Sequence, residues 1–245
     1  LYYWMILSAY SQKILWGITI CLLYVAMMQF PVWYDDAGHW LVFKCLTETG
    51  SIAYPLSNEM ADPASQFITI GSGFYHFLHL FFSESLTPVS IRPCFAGMSL
   101  LGIIFWYFTA KQLLTTQQIY WALPGAFWNL AFLKYSTQFL GESAAFPWVF
   151  AGIFAFFQFL SDKKQYKWLL FWGISWCIAV HIKQYLAFPL GISVLLQFFY
   201  FIYQKRKTES FAFLMTGLGI IGAILLDWYF TMTRSQTTLA EFLLQ

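Results

Sequence analysis

Apolar runs close to the length of a bilayer-crossing helix recur along the chain. They fall at 14–33, 93–114, 119–139, 143–160, 168–182, 186–203 and 211–231, and predict seven transmembrane helices. A shorter apolar run at 74–82 carries His76 and His79 and is below spanning length, so it predicts an interfacial or re-entrant helix. Residues 1–10 are apolar and aromatic but also short, and read as the remnant of an upstream interfacial helix. The longest polar segment, 34–73, contains an amphipathic stretch at 38–46 with Trp40, Leu41, Phe43 and Lys44. Breakers follow in Thr49-Gly50-Ser51 and Tyr54-Pro55-Leu56-Ser57-Asn58. Such a segment is too long for an ordinary helix connection, and its aromatics argue for helices lying along the membrane surface. The expected fold class is therefore all-α and polytopic, a single transmembrane domain over 1–245 with surface helices in its first outer loop.

Composition agrees with this class. Apolar residues make up 60% of the chain and charged residues 10%, and mean hydropathy is +0.61. A soluble domain carries roughly 25% charged residues, so that class is excluded. The chain begins at Leu1 and stops at Gln245 soon after an apolar run, which reads as part of a larger polytopic protein. No cleavable signal peptide is expected, because 14–33 is too long and lacks a small-residue cleavage site. Cys21 and Cys177 fall inside apolar runs, where a thiol behaves as a small hydrophobe. Cys45 and Cys94 fall on the same predicted side, which leaves a disulfide open.

The placement of charge orients the helices. With Lys13 cytoplasmic, Lys111, then Lys163, Lys164 and Lys167, then Lys205, Arg206 and Lys207 fall on the same side, eight of the 13 basic residues. Lys44, Arg92, Lys134, Lys183 and Arg234 are scattered singly on the other. Asp35, Asp36, Glu48, Glu59, Asp62, Glu84 and Glu142 also face outward. Counting 74–82 as a full span would invert everything downstream, which argues against it.

Candidate chemistry gathers on that outer face. Asp35 and Asp36 directly follow the aromatic close of the first span, Phe30-Pro31-Val32-Trp33-Tyr34. Two adjacent carboxylates repel, and low dielectric nearby raises the cost of ionising both, which suits a base, a metal or a cationic partner. The bland alternative is a hydrated loop mouth. Glu142 lies between spans three and four, His181 and Lys183 close span five, and Arg92 opens span two. Ionisable groups at membrane depth are functional hypotheses by default. Each also has a structural reading: Lys183 as a snorkelling helix end, Glu142 as a first-turn acid, Arg92 as a boundary anchor. Asp227 joins this cavity or sits at its rim. His76 and His79, three apart on one helix face, permit shared metal ligation, but a site would need further ligands.

The ordered set of span, Tyr34-Asp35-Asp36, surface helix, Thr49-Gly50 turn, aromatic re-entrant helix and Arg92-Pro93 span resembles the glycosyltransferase C superfamily. More narrowly it resembles the branch of protein O-mannosyltransferases and lipid A aminoarabinose transferases. The family's acidic pair opening the first outer loop is matched by Asp35-Asp36, and its Thr-Gly-x-x-x-x-Pro turn by Thr49 to Pro55. Its Arg-led second span is matched by Arg92-Pro93, its acid before span four by Glu142, and its closing Lys of span five by Lys183. The family often has a Lys-Pro-Pro or His-Pro-Pro sequence before the re-entrant helix, where this chain has Ile70-Gly71-Ser72-Gly73. His76, Lys183 or Arg92 would then supply the missing phosphate contact.

The resemblance implies an integral-membrane inverting glycosyltransferase of the cell envelope with a GT-C-like bundle. The donor would be a sugar on a polyprenyl phosphate, the acceptor a hydroxyl on a lipid, glycan or protein. Asp35 would be the base, and Asp36 and Glu142 would position the acceptor or hold a divalent metal ion. Lys183, with Arg92 or His181, would stabilise the departing phosphate. The site would face the extracytoplasmic side of a plasma (inner) or ER-type membrane, with membrane lipids and no nucleic acid as partners. Rival readings are a polytopic transporter, a surface-polysaccharide polymerase or ligase, and a non-catalytic scaffold. Pro124 and Gly125, Pro147 and Pro189 interrupt spans, as is common in transporter helices. Against a transporter, nearly all ionisable groups lie at span ends and no internal repeat is visible.

Overall fold

The computed structural model describes residues 2–29, 40, 43, 44, 47, 78, 87, 89–137, 141–161, 165–183 and 186–235. Side chains are described for these apart from 2–10, 141, 142 and 227–235. Among the described residues every regular element is helical. The helices are α1 (Tyr2–Gln29), α2 (Arg92–Leu113), α3 (Thr116–Phe127), α4 (Leu130–Thr137), α5 (Gly141–Ser161), α6 (Tyr166–Ile182), α7 (Ala187–Tyr203) and α8 (Lys207–Ser235). Among the described residues, four stretches have the length and apolarity to cross a membrane: Ser11–Gln29, Arg92–Leu113, Ser143–Ser161 and Lys207–Leu226. The helix α7 is apolar but shorter, at 17 residues. Between α1 and α2, Trp40, Phe43, Lys44 and Thr47 are helical, with Phe43 buried and Lys44 exposed, as the amphipathic pattern predicts.

Two expectations about helix bounds are corrected. Residues 2–10 belong to α1 rather than to a separate interfacial helix. The polar residues Ser8, Ser11, Gln12 and Lys13 resemble a boundary in sequence, but neither Gly nor Pro interrupts 2–16, so the hydrogen-bond ladder continues. The third predicted span, 119–139, is two helices. After α3 ends at Phe127, Asn129 opens α4: its Oδ1 accepts the Phe132 N–H at 2.8 Å and its Nδ2 donates to the Ala126 carbonyl at 3.0 Å. Asn competes for backbone hydrogen bonds and so favours such junctions over helix interiors. The start of α3 is marked locally by a Thr115/Gln118 capping box.

Side-chain contacts give the directions. Met27 meets Arg92 and Trp16 meets Tyr107, so α1 and α2 are antiparallel. The rings of Phe105 and Phe108 both reach Phe154, while Gly102 abuts Phe146, so α2 and α5 run parallel. Phe159 meets Tyr166 and Gly152 meets Trp176, which makes α5 and α6 antiparallel. The last helix α8 packs on both α6 (Gly173 to Thr216) and α7 (Gly217 to Val194). Lys13, Lys111, Lys167 and Lys205–Lys207 thus lie at one end of the bundle. The C-terminus of α1 and the N-termini of α2, α5 and α7 lie at the other.

Among the described residues two cores hold the helices. One joins Leu23, Ile103, Leu123 and Phe127 from α1, α2 and α3. The larger joins Phe159, Trp172, Phe201, Phe213 and their neighbours from α5 to α8. Outside these, large apolar side chains stand exposed along the helices, including Phe188 at 75% and Leu196 at 65% on α7. In water such a surface would aggregate; against lipid it is the ordinary exterior. Gly102 lets the backbone of α2 meet the Phe146 ring, and a Cβ there would collide with the ring edge at Cδ1 and Cε1. Gly102→Ala should therefore cost about 1–3 kcal/mol by overpacking, read as a lower thermal unfolding midpoint in detergent.

The turn between α7 and α8 is a Schellman motif. Arg206 N–H donates to the Phe201 carbonyl and Lys205 N–H to the Ile202 carbonyl, both at 2.9 Å. Lys205 occupies the left-handed position at φ 56°, where Gly is normally found. Lys205→Gly should relieve about 1 kcal/mol of backbone strain and raise the midpoint in neutral detergent.

Candidate functional site

The end of the bundle formed by the α1 C-terminus and the α2 and α5 N-termini carries the described candidates. Arg92 begins α2, with Pro93 following it in the first turn, where a missing N–H costs nothing. The turn before it is closed by Thr87 and Ser90: Thr87 N–H donates to Ser90 Oγ at 2.8 Å, and Ser90 N–H donates back to Thr87 Oγ1 at 3.2 Å. This arrangement leaves Arg92 2% exposed, with Nη1 donating to the Met27 carbonyl at 3.2 Å. Met27 lies in the last turn of α1, where carbonyls lack intrahelical partners and the helix dipole is negative. One function of Arg92 is therefore to complement the end of α1. The side chain expected to bind a phosphate is at the same time a helix-to-helix tie.

About two turns further along α2, a small cavity of about 110 Å³ lies between α2, α4 and α5. Ser99, Phe132, Tyr135, Ser136, Ser143 and Phe146 line it. The Ser99 hydroxyl donates to the Ser136 carbonyl at 2.7 Å, and the Ser143 hydroxyl donates to the Tyr135 carbonyl. With their protons turned onto carbonyls, the serines tie three helices together and leave the cavity wall largely apolar. Ser143 is the residue after Glu142, so the Glu142 backbone is in the first turn of α5, at the same end as Arg92. An acid in a first turn also favours the helix dipole.

His181 closes α6 and is half-buried. Its Nδ1 lies 2.7 Å from the Cys177 carbonyl oxygen. A carbonyl only accepts, so Nδ1 carries a proton. Lys183 is the cap residue of α6 in extended conformation, also half-buried, its N–H donating to the Ala179 carbonyl at 2.9 Å. Because α5 and α6 are antiparallel, both residues lie at the end that holds the start of α5. Arg92 and Lys183 thus share an end of the molecule, on different helices. Neither lines the serine cavity.

Asp35, Asp36, His76 and His79 lie outside the described residues, as do the side chains of Glu142 and Asp227. Among the described residues no three His, Cys, Asp or Glu side chains gather into a metal-binding group. Cys94 is a free cysteine, and Cys45, its partner in the disulfide left open, lies outside the described residues.

Sequence reading passed over the hydroxyl ties. Beyond the serines, the Trp128 indole N–H donates to Thr19 Oγ1 at 2.9 Å, joining the α3–α4 break to α1. The available signal was small hydroxyl residues inside otherwise apolar runs, which mark helix-to-helix seams in membranes. A search of protein-family models, of curated proteins and of solved structures finds no match to the chain.

Proposed function

We propose that this protein is an integral-membrane inverting glycosyltransferase that moves a sugar from a polyprenyl-phosphate donor to a hydroxyl acceptor on the extracytoplasmic face. The observation that carries this reading is the sharing of one bundle end by groups far apart in sequence. The buried Arg92, the first turn of α5 that holds Glu142, and His181 and Lys183 are all at that end. Asp35 and Asp36 follow the last described residue of α1 by six and seven positions, within about 25 Å of extended chain. The opposite end carries Lys111, Lys167 and Lys205–Lys207, which favours a cytoplasmic assignment for it. The seven-span GT-C-like bundle belongs to the same proposal; it requires α6, α7 and the α3–α4 pair to span alongside the four longer segments.

The chemistry is one displacement. The Asp35 carboxylate takes the acceptor O–H proton as that oxygen attacks the anomeric carbon. The bond from that carbon to the phosphate oxygen breaks, and polyprenyl phosphate leaves with both electrons. Its charge grows as the bond breaks, so Lys183, helped by Arg92 or His181, stabilises the transition state more than the ground state. Asp36 and Glu142 position the acceptor. A divalent ion on those two residues would add charge stabilisation, and no step depends on it.

The test is transfer from a radiolabelled polyprenyl-phosphate sugar in membranes containing the protein, with and without chelator. Label moving to a hydroxyl acceptor is expected; protein-independent label would end the reading. A transporter is favoured by one observation, the break of the third predicted span at Trp128–Asn129, because discontinuous helices commonly frame transport sites. Protein-dependent flux of a solute, with no lipid-sugar dependence, would establish that alternative.

A further inference from the structure

We infer that the α7–α8 turn is a seat for an anionic phospholipid, with its headgroup on Lys205 and Lys207 and its chains against the exposed walls of α7 and α8. The inference starts from local geometry. The Schellman turn reverses the chain within a few residues and places three consecutive cations at a single corner of the bundle. Arg206 is already engaged: its Nε meets Glu209 Oε1 at 3.1 Å, and its guanidinium lies 5.0 Å from the centre of the Phe201 ring. That pair is internally neutral, so the net charge of the corner resides on Lys205 and Lys207. Both are exposed, and neither makes an ion pair among the described residues. The positive charge is therefore available to an outside anion.

What flanks the corner identifies the anion as part of a lipid. Directly before it stand Tyr203 at 82% exposure and Ile202 at 48%. One turn beyond Lys207 stands Phe211 at 63%, followed by Met215 a further turn along α8. A soluble anion would gain nothing from these groups. A molecule with a phosphate above two hydrocarbon chains meets both halves of the surface, charge on charge and apolar on apolar. Tyr203 is also the residue type that anchors at headgroup depth, which puts the lysines level with lipid phosphates. Lys167, exposed at the start of α6, adds to the same rim: Tyr166 beside it meets Phe159, which in turn meets Phe201. The seat is at the end opposite Arg92 and Lys183, so it is independent of the transfer reaction.

The test measures lipid retained by the purified full chain in nanodiscs of phosphatidylcholine with a minor share of phosphatidylglycerol. Native mass spectrometry reports bound phosphatidylglycerol per protein. Each lysine near an anionic surface contributes about fivefold, so Lys205→Gln with Lys207→Gln should lower retention about 25-fold. Added salt should weaken retention by the unmodified chain. Lys111→Gln, at the same end but on another helix, should change retention little. Lys205→Gly separates binding from folding: it raises the unfolding midpoint in neutral detergent yet lowers lipid retention. Inorganic phosphate should fail to displace the lipid, since it lacks the chains. Unchanged retention in the double variant, or displacement by phosphate alone, overturns the assignment.

Discussion

Asp35→Asn is expected to abolish sugar transfer while the protein still inserts in the membrane. Asn is nearly isosteric with Asp and keeps a hydrogen-bonding carbonyl, but it has no carboxylate to take the acceptor proton. General-base catalysis contributes about 10²–10⁴-fold, and the variant should lose at least that much turnover. Donor binding should change little, because the contacts to phosphate are assigned to cations. The measurement is label transferred per unit of inserted protein, with donor retention as the second readout. Unchanged turnover would end the assignment of Asp35 as base. Turnover lost in Asp36→Asn alone would move the role one residue along.

The second large effect is expected at Arg92. Its guanidinium is buried and holds the Met27 carbonyl, so Arg92→Ala removes a charged hydrogen bond and the packing of a long side chain together. Hydrogen bonds to charged groups contribute about 1.5–3 kcal/mol, and the lost packing adds to this, so a loss of about 3 kcal/mol is expected. A lower unfolding midpoint in detergent checks it. Arg92→Lys divides the two roles. It keeps a positive charge for a phosphate but not the planar fork that reaches a helix end. If Arg92 serves only as a tie, Arg92→Lys loses stability and keeps its affinity for the lipid-linked donor. If it also holds the phosphate, Arg92→Ala loses donor affinity beyond what its instability explains. An unfolding midpoint unchanged in Arg92→Ala would show that the tie to α1 contributes nothing.

The helical class was legible because lipid imposes it. Backbone groups in hydrocarbon must be satisfied within the segment, so long apolar runs such as 93–114 and 143–160 have few alternatives to helix. They emerge as α2 and α5 within a residue or two of the expected bounds. The third run was read less well, because Asn129 inside 119–139 is one polar residue among many apolar ones in hydropathy. Only its side-chain hydrogen bonds make it a helix start. The Arg92-Pro93 pair was legible as a candidate, while its tie to α1 was not. Nothing in the sequence connects Arg92 to Met27, 65 positions earlier. The serine cavity was invisible for the same reason: Ser99, Ser136 and Ser143 become partners only when α2, α4 and α5 pack.

By itself, the order of apolar runs and charges determined that the chain is helical and apolar enough for a membrane, and it separated the basic residues into two groups. These are properties of single segments in a solvent, and a segment carries them wherever it goes. Only the tertiary structure decided which segments are neighbours: that α2 runs beside α5 through Gly102, and that α8 touches both α6 and α7. It also decided that Arg92 faces a helix end rather than water. Close packing depends on shape at particular positions, where a missing Cβ or a single hydroxyl selects a partner. Hydropathy, which averages over a span, carries no such detail.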